Sequence, residues 1–128
     1  FKVNENLQYA DRNKNMIRTR EISKLLIFTT ISTGHLEAVI SNYPFLILNV
    51  FPHVIEDRYK AIFKKMESLN LIHNTAQSLF HTVRHLPLDT NKWWHSSQIQ
   101  DFLEEYKLLF ARYDQKNRIN LFCKQFED

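Results

Sequence analysis

The stretch LLIFTTISTGHLEAVISNYPFLIL, residues 25–48, decides the fold class. Apolar runs at residues 25–29 and 45–50 predict two buried strands. Between them, residues 33–42 predict a helix with Leu36, Val39 and Ile40 on its buried face, ended before Pro44 because proline disfavours helical geometry in the preceding residue. Two buried strands joined by a short helix form a parallel βαβ crossover. The sequence therefore predicts an α/β protein.

The rest of the chain extends this alternation in both directions. Upstream, we predict a short strand at residues 1–3 and a short amphipathic helix at residues 15–23. Downstream, we predict an amphipathic helix within residues 55–70, a strand at 71–73, a helix from Thr75 to about 86, a connection at 87–94, a long helix from Ser96 or Ser97 to about 112, and a short helix within 117–126. A chain of 128 residues can bury one core, so a single domain is expected.

Composition excludes several classes of protein. The 17 basic and 14 acidic residues are interspersed, unlike the one-sided charge of a nucleic-acid binder. No apolar run approaches the roughly 20 residues of a membrane-spanning helix. The single cysteine, Cys123, cannot form an internal disulfide and favours a packed thiol in the reducing cytoplasm. The chain begins with Phe1 and has no leader pattern, so we expect a fragment of a longer protein.

Gly34 is the only glycine, and it lies where the first predicted strand turns into a helix. There, Ser32 and Thr33 offer hydroxyl donors, the backbone offers free N–H groups, and Gly34 removes a Cβ from the path of an anion. The carboxyl edge of parallel strands is also where α/β folds bind ligands. These residues therefore predict a phosphate site.

Two further side chains extend the predicted site. Glu37 lies one turn into the helix, outside the usual capping-box position, where its carboxylate can accept hydrogen bonds from sugar hydroxyls. His35 lies inside the site and can donate to a phosphate. The alternative is structural: Ser32 and Thr33 cap the helix, Gly34 eases packing, and Glu37 favours the helix dipole.

Three segments of the chain, taken together, match the sequence pattern of a known protein family. They read STGHLEAVISNYPF, EDRYKAIFKKMESLNLIHNTAQSL and NKWWHSSQIQDF, and cover about residues 22–110. They resemble a family of bacterial surface-carbohydrate glycosyltransferases of the GT-B type. The chain departs from that pattern at Gly34 and His35, where bulkier or hydroxyl residues are common, and at residues 49–54, which lack the family's tryptophans.

The resemblance implies the C-terminal part of a two-domain transferase: a partial Rossmann-like parallel sheet with flanking helices and a helical C-terminal segment. It implies a nucleotide-activated sugar as donor substrate, no cofactor, and a carbohydrate or glycolipid acceptor bound by an N-terminal domain outside this chain. By the family pattern, Ser32, Thr33 and Gly34 bind the donor phosphate, Glu37 binds ribose or sugar hydroxyls, and Arg58 opens the helix after the second strand. The fragment alone is then expected to be inactive, and its parent to work in the cytoplasm at the inner face of the membrane.

Other patterns are predicted to be structural. His81 and His85 have the spacing of a metal-binding pair, but no third ligand is near in sequence, so we expect surface histidines and no metal. Of Trp93 and Trp94, taken as an extended segment, one is expected to pack on the core.

The basic residues of the helix after the second strand allow two interpretations. Arg58 either contacts the ligand or forms a salt bridge with a neighbouring acid. Together with the nearby lysines it gives this helix a positive side, which either faces solvent or contacts an anionic membrane surface. The alternative function for the whole chain is a non-catalytic α/β protein-interaction domain, and no nucleic-acid partner is expected.

Overall fold

A computed structural model describes residues 16–50 and 55–111. The strand predicted at residues 1–3, the helix predicted within 117–126, and Cys123 lie outside the described residues. The elements are α1 Met16–Ile22, β1 Leu26–Phe28, α2 Thr33–Ile40, β2 Phe45–Leu48, a 3₁₀ turn Asp57–Tyr59, α3 Lys60–Ser68, β3 Ile72–His73, α4 Ala76–His85, α5 Thr90–Trp94 and α6 Ser97–Phe110.

The three strands form one parallel sheet in the order β1-β2-β3. Phe28 of β1 is in register with Ile47 of β2, which is in register with Ile72 of β3. β2 is the central strand, paired on both sides, and its Phe45, Leu46 and Ile47 are 0% exposed. The predicted α/β fold with a parallel sheet is therefore confirmed.

Side chains on β2 alternate between the two faces of the sheet. On one face, the ring of Phe45 packs edge-on against His35 of α2, with centroids 6.2 Å apart. Tyr106 of α6 contacts both His35, at 5.9 Å, and Phe63 of α3, at 6.3 Å. Helices α2, α3 and α6 therefore converge on Tyr106 and cover this face of the sheet.

Both crossovers end in the same left-handed turn. Asn42 after α2 has φ 52°, and Asn70 after α3 has φ 57°. The turn closes when Tyr43 N–H donates to the Ala38 carbonyl over 2.9 Å, and an equivalent bond of 3.0 Å closes the end of α3. Asparagine is one of the few residues besides glycine that tolerate this conformation. The chain therefore makes its left-handed helix ends without its one glycine.

The buried face of α2 differs from the predicted one. The helix buries His35, Ala38 and Val39, whereas Ile40 is 49% exposed. The prediction assigned the apolar residues inward and treated the histidine as polar. The helix is rotated relative to that expectation because His35 has a buried partner in α6.

The segment predicted as a connection at residues 87–94 contains the helix α5. Its first turn is capped by the Asp89 carboxylate, which accepts from Lys92 N–H over 3.1 Å. Trp94 is 0% exposed, and its indole N–H donates to the Asn42 side-chain oxygen over 2.8 Å, while Trp93 is half-buried. The extended conformation was wrong, but the prediction that one tryptophan packs on the core is confirmed.

Candidate functional site

The connection from β1 to α2 lies at the carboxyl edge of the sheet. It passes through exposed Thr29 and Thr30 and ends at Ser32, whose extended backbone immediately precedes the first helical residue, Thr33. The first N–H groups of a helix have no acceptor inside that helix. Those of Thr33 and Gly34 are therefore donors without a partner within α2, at an edge where α/β folds bind ligands.

Gly34 is the second residue of α2 and does not have a positive φ. Its conformation is open to any residue, so backbone freedom does not explain a glycine here. Glycine within a helix costs about 1 kcal/mol relative to alanine. What the missing Cβ does provide at this partly exposed position is room for close approach to the backbone.

His35 is turned inward and is 1% exposed. Its Nδ1 accepts a hydrogen bond from Ser32 N–H over 3.0 Å. Because Nδ1 acts as acceptor, the proton is on Nε2, which donates to the Tyr106 hydroxyl over 2.8 Å. Burial lowers the pKa of His35. An Nδ1 atom that accepts from Ser32 N–H carries no proton, which also requires the neutral ring. The imidazole is therefore uncharged, with one fixed tautomer.

This geometry gives His35 a structural role and not the predicted role of donating to a phosphate. Both ring nitrogens are held by the chain itself, so neither is available to a phosphate. The ring instead takes the place that Glu or Gln occupies in a capping box, three residues after Ser32. The Ser-x-x-His spacing is the sequence signal for this cap, although the usual capping-box residue at that position is Glu or Gln.

Glu37 and Thr33 lie one helical turn apart, and both are exposed. The Glu37 carboxylate therefore faces the same solvent region as the first turn of α2. Among the described residues it forms no ion pair. The structure thus places Ser32, Thr33, Gly34 and Glu37 together at the start of α2, with His35 beneath them.

Arg58 belongs to the 3₁₀ turn in the crossover from β2 to α3. Its Nε lies 2.7 Å from a Glu56 carboxylate oxygen, and its guanidinium carbon lies 4.6 Å from the centroid of the Tyr59 ring. The side chain is 68% exposed. The predicted salt bridge with a neighbouring acid is confirmed, and the described residues show no contact between Arg58 and the start of α2.

The structure also shows the surroundings of the basic residues of α3 and of the predicted surface histidines. Lys60 and Lys65 pair with Asp57 and Glu105, each at 2.5 Å, so the positive side of α3 is largely compensated. The exposed rings of the histidine pair at 81 and 85 stack with centroids 4.3 Å apart. Within residues 16–50 and 55–111, no group of three side chains could hold a metal ion.

Asn49, directly after β2, was not predicted as a site residue. It is 4% exposed, and its N–H donates to the His73 carbonyl over 2.7 Å, which continues the sheet by one residue. Its buried side-chain oxygen has no hydrogen-bond partner among the described residues. A buried acceptor without a donor is unfavourable by about 1–3 kcal/mol. Burial decides this property, and the sequence gives no signal for it.

A cavity of about 290 Å³ lies at the opposite, amino edge of the sheet. Lys24 before β1, Tyr43 and Pro44 before β2, and residues 88–91 line it. The neighbouring helix start, that of α5, is already occupied by the Asp89 carboxylate. A negative charge there disfavours an anion, so the start of α2 is the better candidate for a phosphate.

Comparison with known families now decides the class of the chain. The model of the LIC12162 family transferase matches residues 2–126. The chain belongs to this family. No curated protein and no solved structure matches it. The predicted transferase class is confirmed at this level, whereas the GT-B type, the donor and the acceptor remain predictions. No helix in the described part of the chain is long and apolar enough to cross a membrane.

Proposed function

We propose that this LIC12162 family chain is the donor-nucleotide-binding part of a GT-B glycosyltransferase that moves a sugar from a nucleotide-activated donor to a surface-carbohydrate acceptor. The observation that supports it is the start of α2 at the carboxyl edge of a parallel sheet. There, the first-turn N–H groups and a glycine with no conformational need for its missing Cβ leave room for an anion.

The chemistry follows from the leaving group. Breaking the bond between sugar and phosphate leaves negative charge on the nucleotide diphosphate. The N–H groups of Thr33 and Gly34, together with the positive end of the α2 dipole, stabilise that charge as it develops. Glu37, on the exposed side of the same helix, accepts hydrogen bonds from the ribose or sugar hydroxyls. Ser32 is held in place by the ring of His35.

The proposal divides the work between this chain and the rest of the protein. The acceptor, a carbohydrate or glycolipid, and any general base belong to an N-terminal domain, as the resemblance implies. The chain is the C-terminal part of the nucleotide-sugar-binding domain of that enzyme, which works in the cytoplasm at the inner face of the membrane. Arg58 is also part of the proposed binding site for the donor substrate. To bind a phosphate, its guanidinium would first have to release the Glu56 carboxylate.

Titration with nucleoside diphosphates tests the proposal through Glu37→Gln. We expect the variant to bind more weakly by about 1–3 kcal/mol, the usual loss for a hydrogen bond to a charged group. Its thermal unfolding should match that of the unsubstituted chain, because Glu37 is exposed. Glu67→Gln, on the exposed side of α3, is the matched control and should change neither property.

Two results would count against this function. One is that Glu37→Gln binds every nucleotide as tightly as the unsubstituted chain does. The other is a variant whose only change is a lower melting temperature. Either would leave the start of α2 as a structural feature and favour the protein-interaction alternative.

A further inference from the structure

Asn49 carries the feature that the proposed phosphate contacts leave unused. It is 4% exposed, and its side-chain oxygen has no hydrogen-bond partner within residues 16–50 and 55–111. Nearly all buried polar atoms in folded proteins have a partner. Such an oxygen therefore points to a partner outside the described residues, and a bound ligand is one such partner.

The fold places this oxygen on the α2 side of the sheet. Asn49 continues the ladder of β2 through its bond to the His73 carbonyl, so strand alternation puts its side chain on the same face as Phe45 and Ile47. Phe45 is the residue that packs against His35 in the first turn of α2. Phe45 is the first residue of β2, whereas Asn49 follows its last residue and so lies at the carboxyl edge of the sheet, the edge at which α2 also begins.

The chemistry of the oxygen restricts its partner. An amide oxygen accepts hydrogen bonds, and so does an ionised phosphate, so the two cannot bond to each other. The partner must be an O–H or N–H group. Neighbouring strands are about 4.8 Å apart, so a ligand with its phosphate at the end of β1 reaches the end of β2 within one nucleoside unit.

We propose that the Asn49 side-chain oxygen accepts a hydrogen bond from a hydroxyl or N–H group on the nucleoside part of the ligand whose phosphate binds the start of α2. This inference rests on the proposed function and names the group that distinguishes a nucleotide from a free phosphate. Thr33 and Gly34 bind the charge, and Asn49 binds the neutral part.

The test is Asn49→Leu, which keeps the branched shape and the number of heavy atoms of the side chain and removes its polar atoms. The chain is titrated with UDP, GDP, ADP and CDP, and separately with inorganic pyrophosphate. We expect the affinity for the preferred nucleotide to fall about five- to tenfold, as for one lost neutral hydrogen bond, and the affinity for pyrophosphate to stay unchanged. The unfolding midpoint should stay the same or rise, because an unpaired buried acceptor has been removed.

Asn42→Gly is the matched control. Asn42 is an asparagine whose side-chain oxygen does have a partner, the Trp94 indole N–H at 2.8 Å, and it lies at the amino edge of the sheet. Glycine keeps its left-handed backbone, so the change removes mainly the side-chain bonds. We expect a lower unfolding midpoint and unchanged nucleotide affinity.

Several results would overturn the inference. If Asn49→Leu lowers the midpoint as Asn42→Gly does, the amide has a structural partner in the chain. If the parent binds nucleotides and Asn49→Leu binds them equally well, Asn49 does not contact the ligand, although the proposed function stands. If the chain without substitutions binds none of these nucleotides, both proposals fail together.

A second measurement covers a variant that does not fold. In the unaltered chain, the NMR signal of the Asn49 side-chain amide should move when the preferred nucleotide is added and stay in place with pyrophosphate. A signal that stays in place with both, while the backbone signals of Thr33 and Gly34 move, would contradict the inference.

Discussion

At the scale of single residues, a histidine caps α2 where a glutamate or glutamine is usual. Glutamate would place a charge beside the anion site. The neutral ring of His35 instead binds Ser32 N–H without adding a charge to the first turn of α2. The same choice makes the cap depend on protonation, because a charged imidazole has no lone pair left for Ser32.

The pH dependence of stability tests this cap. Burial holds the pKa of His35 below its ordinary value, so the unfolded chain binds a proton at a pH where the folded chain does not. We expect the free energy of unfolding to be largest above about pH 6.5, the ordinary histidine pKa, and to fall as the pH drops below it. His35→Gln should reduce this fall, since glutamine can cap Ser32 without titrating. Denaturant unfolding between pH 7 and pH 5 measures it.

One other histidine is expected to contribute to the same pH dependence. His73 is also buried, with a lowered pKa, so His35→Gln should remove part of the pH dependence and leave the rest. A pH dependence in His35→Gln identical to that of the parent would show that the ring does not titrate with folding.

At the scale of elements, α2 keeps a helix-weakening glycine in its first turn while asparagines make the left-handed turns. Gly34→Ala should therefore raise the free energy of unfolding by about 0.5–1 kcal/mol, because alanine loses less entropy and its φ is already allowed. The same change should weaken nucleotide binding, because a Cβ would stand where the phosphate approaches. Thermal unfolding and nucleotide titration of one variant measure both.

The opposite signs of these two effects make the result decisive. Ala76→Gly, in the first turn of α4, is the reverse control and should lower stability without affecting nucleotide binding. If Gly34→Ala lowers stability, the glycine is needed for close packing within the protein. The packing alternative for Gly34 would then be correct.

The same elements show how far the sequence could predict this structure. The apolar run of β2 and Pro44 after α2 are local signals, so the strand and the end of the helix were predicted. The buried face of α2 was not, because His35 is buried by a bond to Tyr106, 71 residues away. The unpaired oxygen of Asn49 likewise depends on tertiary burial. Local pattern thus predicted the proposed phosphate site, whereas long-range contacts determine which side chains there are exposed.

At the scale of the whole molecule, Tyr106 joins α2, α3 and α6 over one face of the sheet. Its hydroxyl bonds to His35, so the last described helix helps to position the start of α2. On the other side of β2, β1 is only partly covered: Leu26 is buried, whereas Ile27 and Phe28 are half-buried. The described strands thus form a small sheet, with the candidate site at one of its edges.

If this chain contains only the binding site for the donor substrate, it should bind the nucleotide but transfer no sugar. We expect the 128-residue chain to bind its preferred nucleoside diphosphate and yet to release no nucleotide from the corresponding activated sugar, because the proposal assigns the acceptor site and any general base to residues outside this chain. The longer parent protein, assayed with the same donors and a carbohydrate acceptor, should release it. Gly34→Ala in the parent should reduce that release, which would connect the activity to this edge of the sheet. Sustained sugar transfer by the 128 residues alone would refute the division of work, since the chain would then have to contain the acceptor site as well.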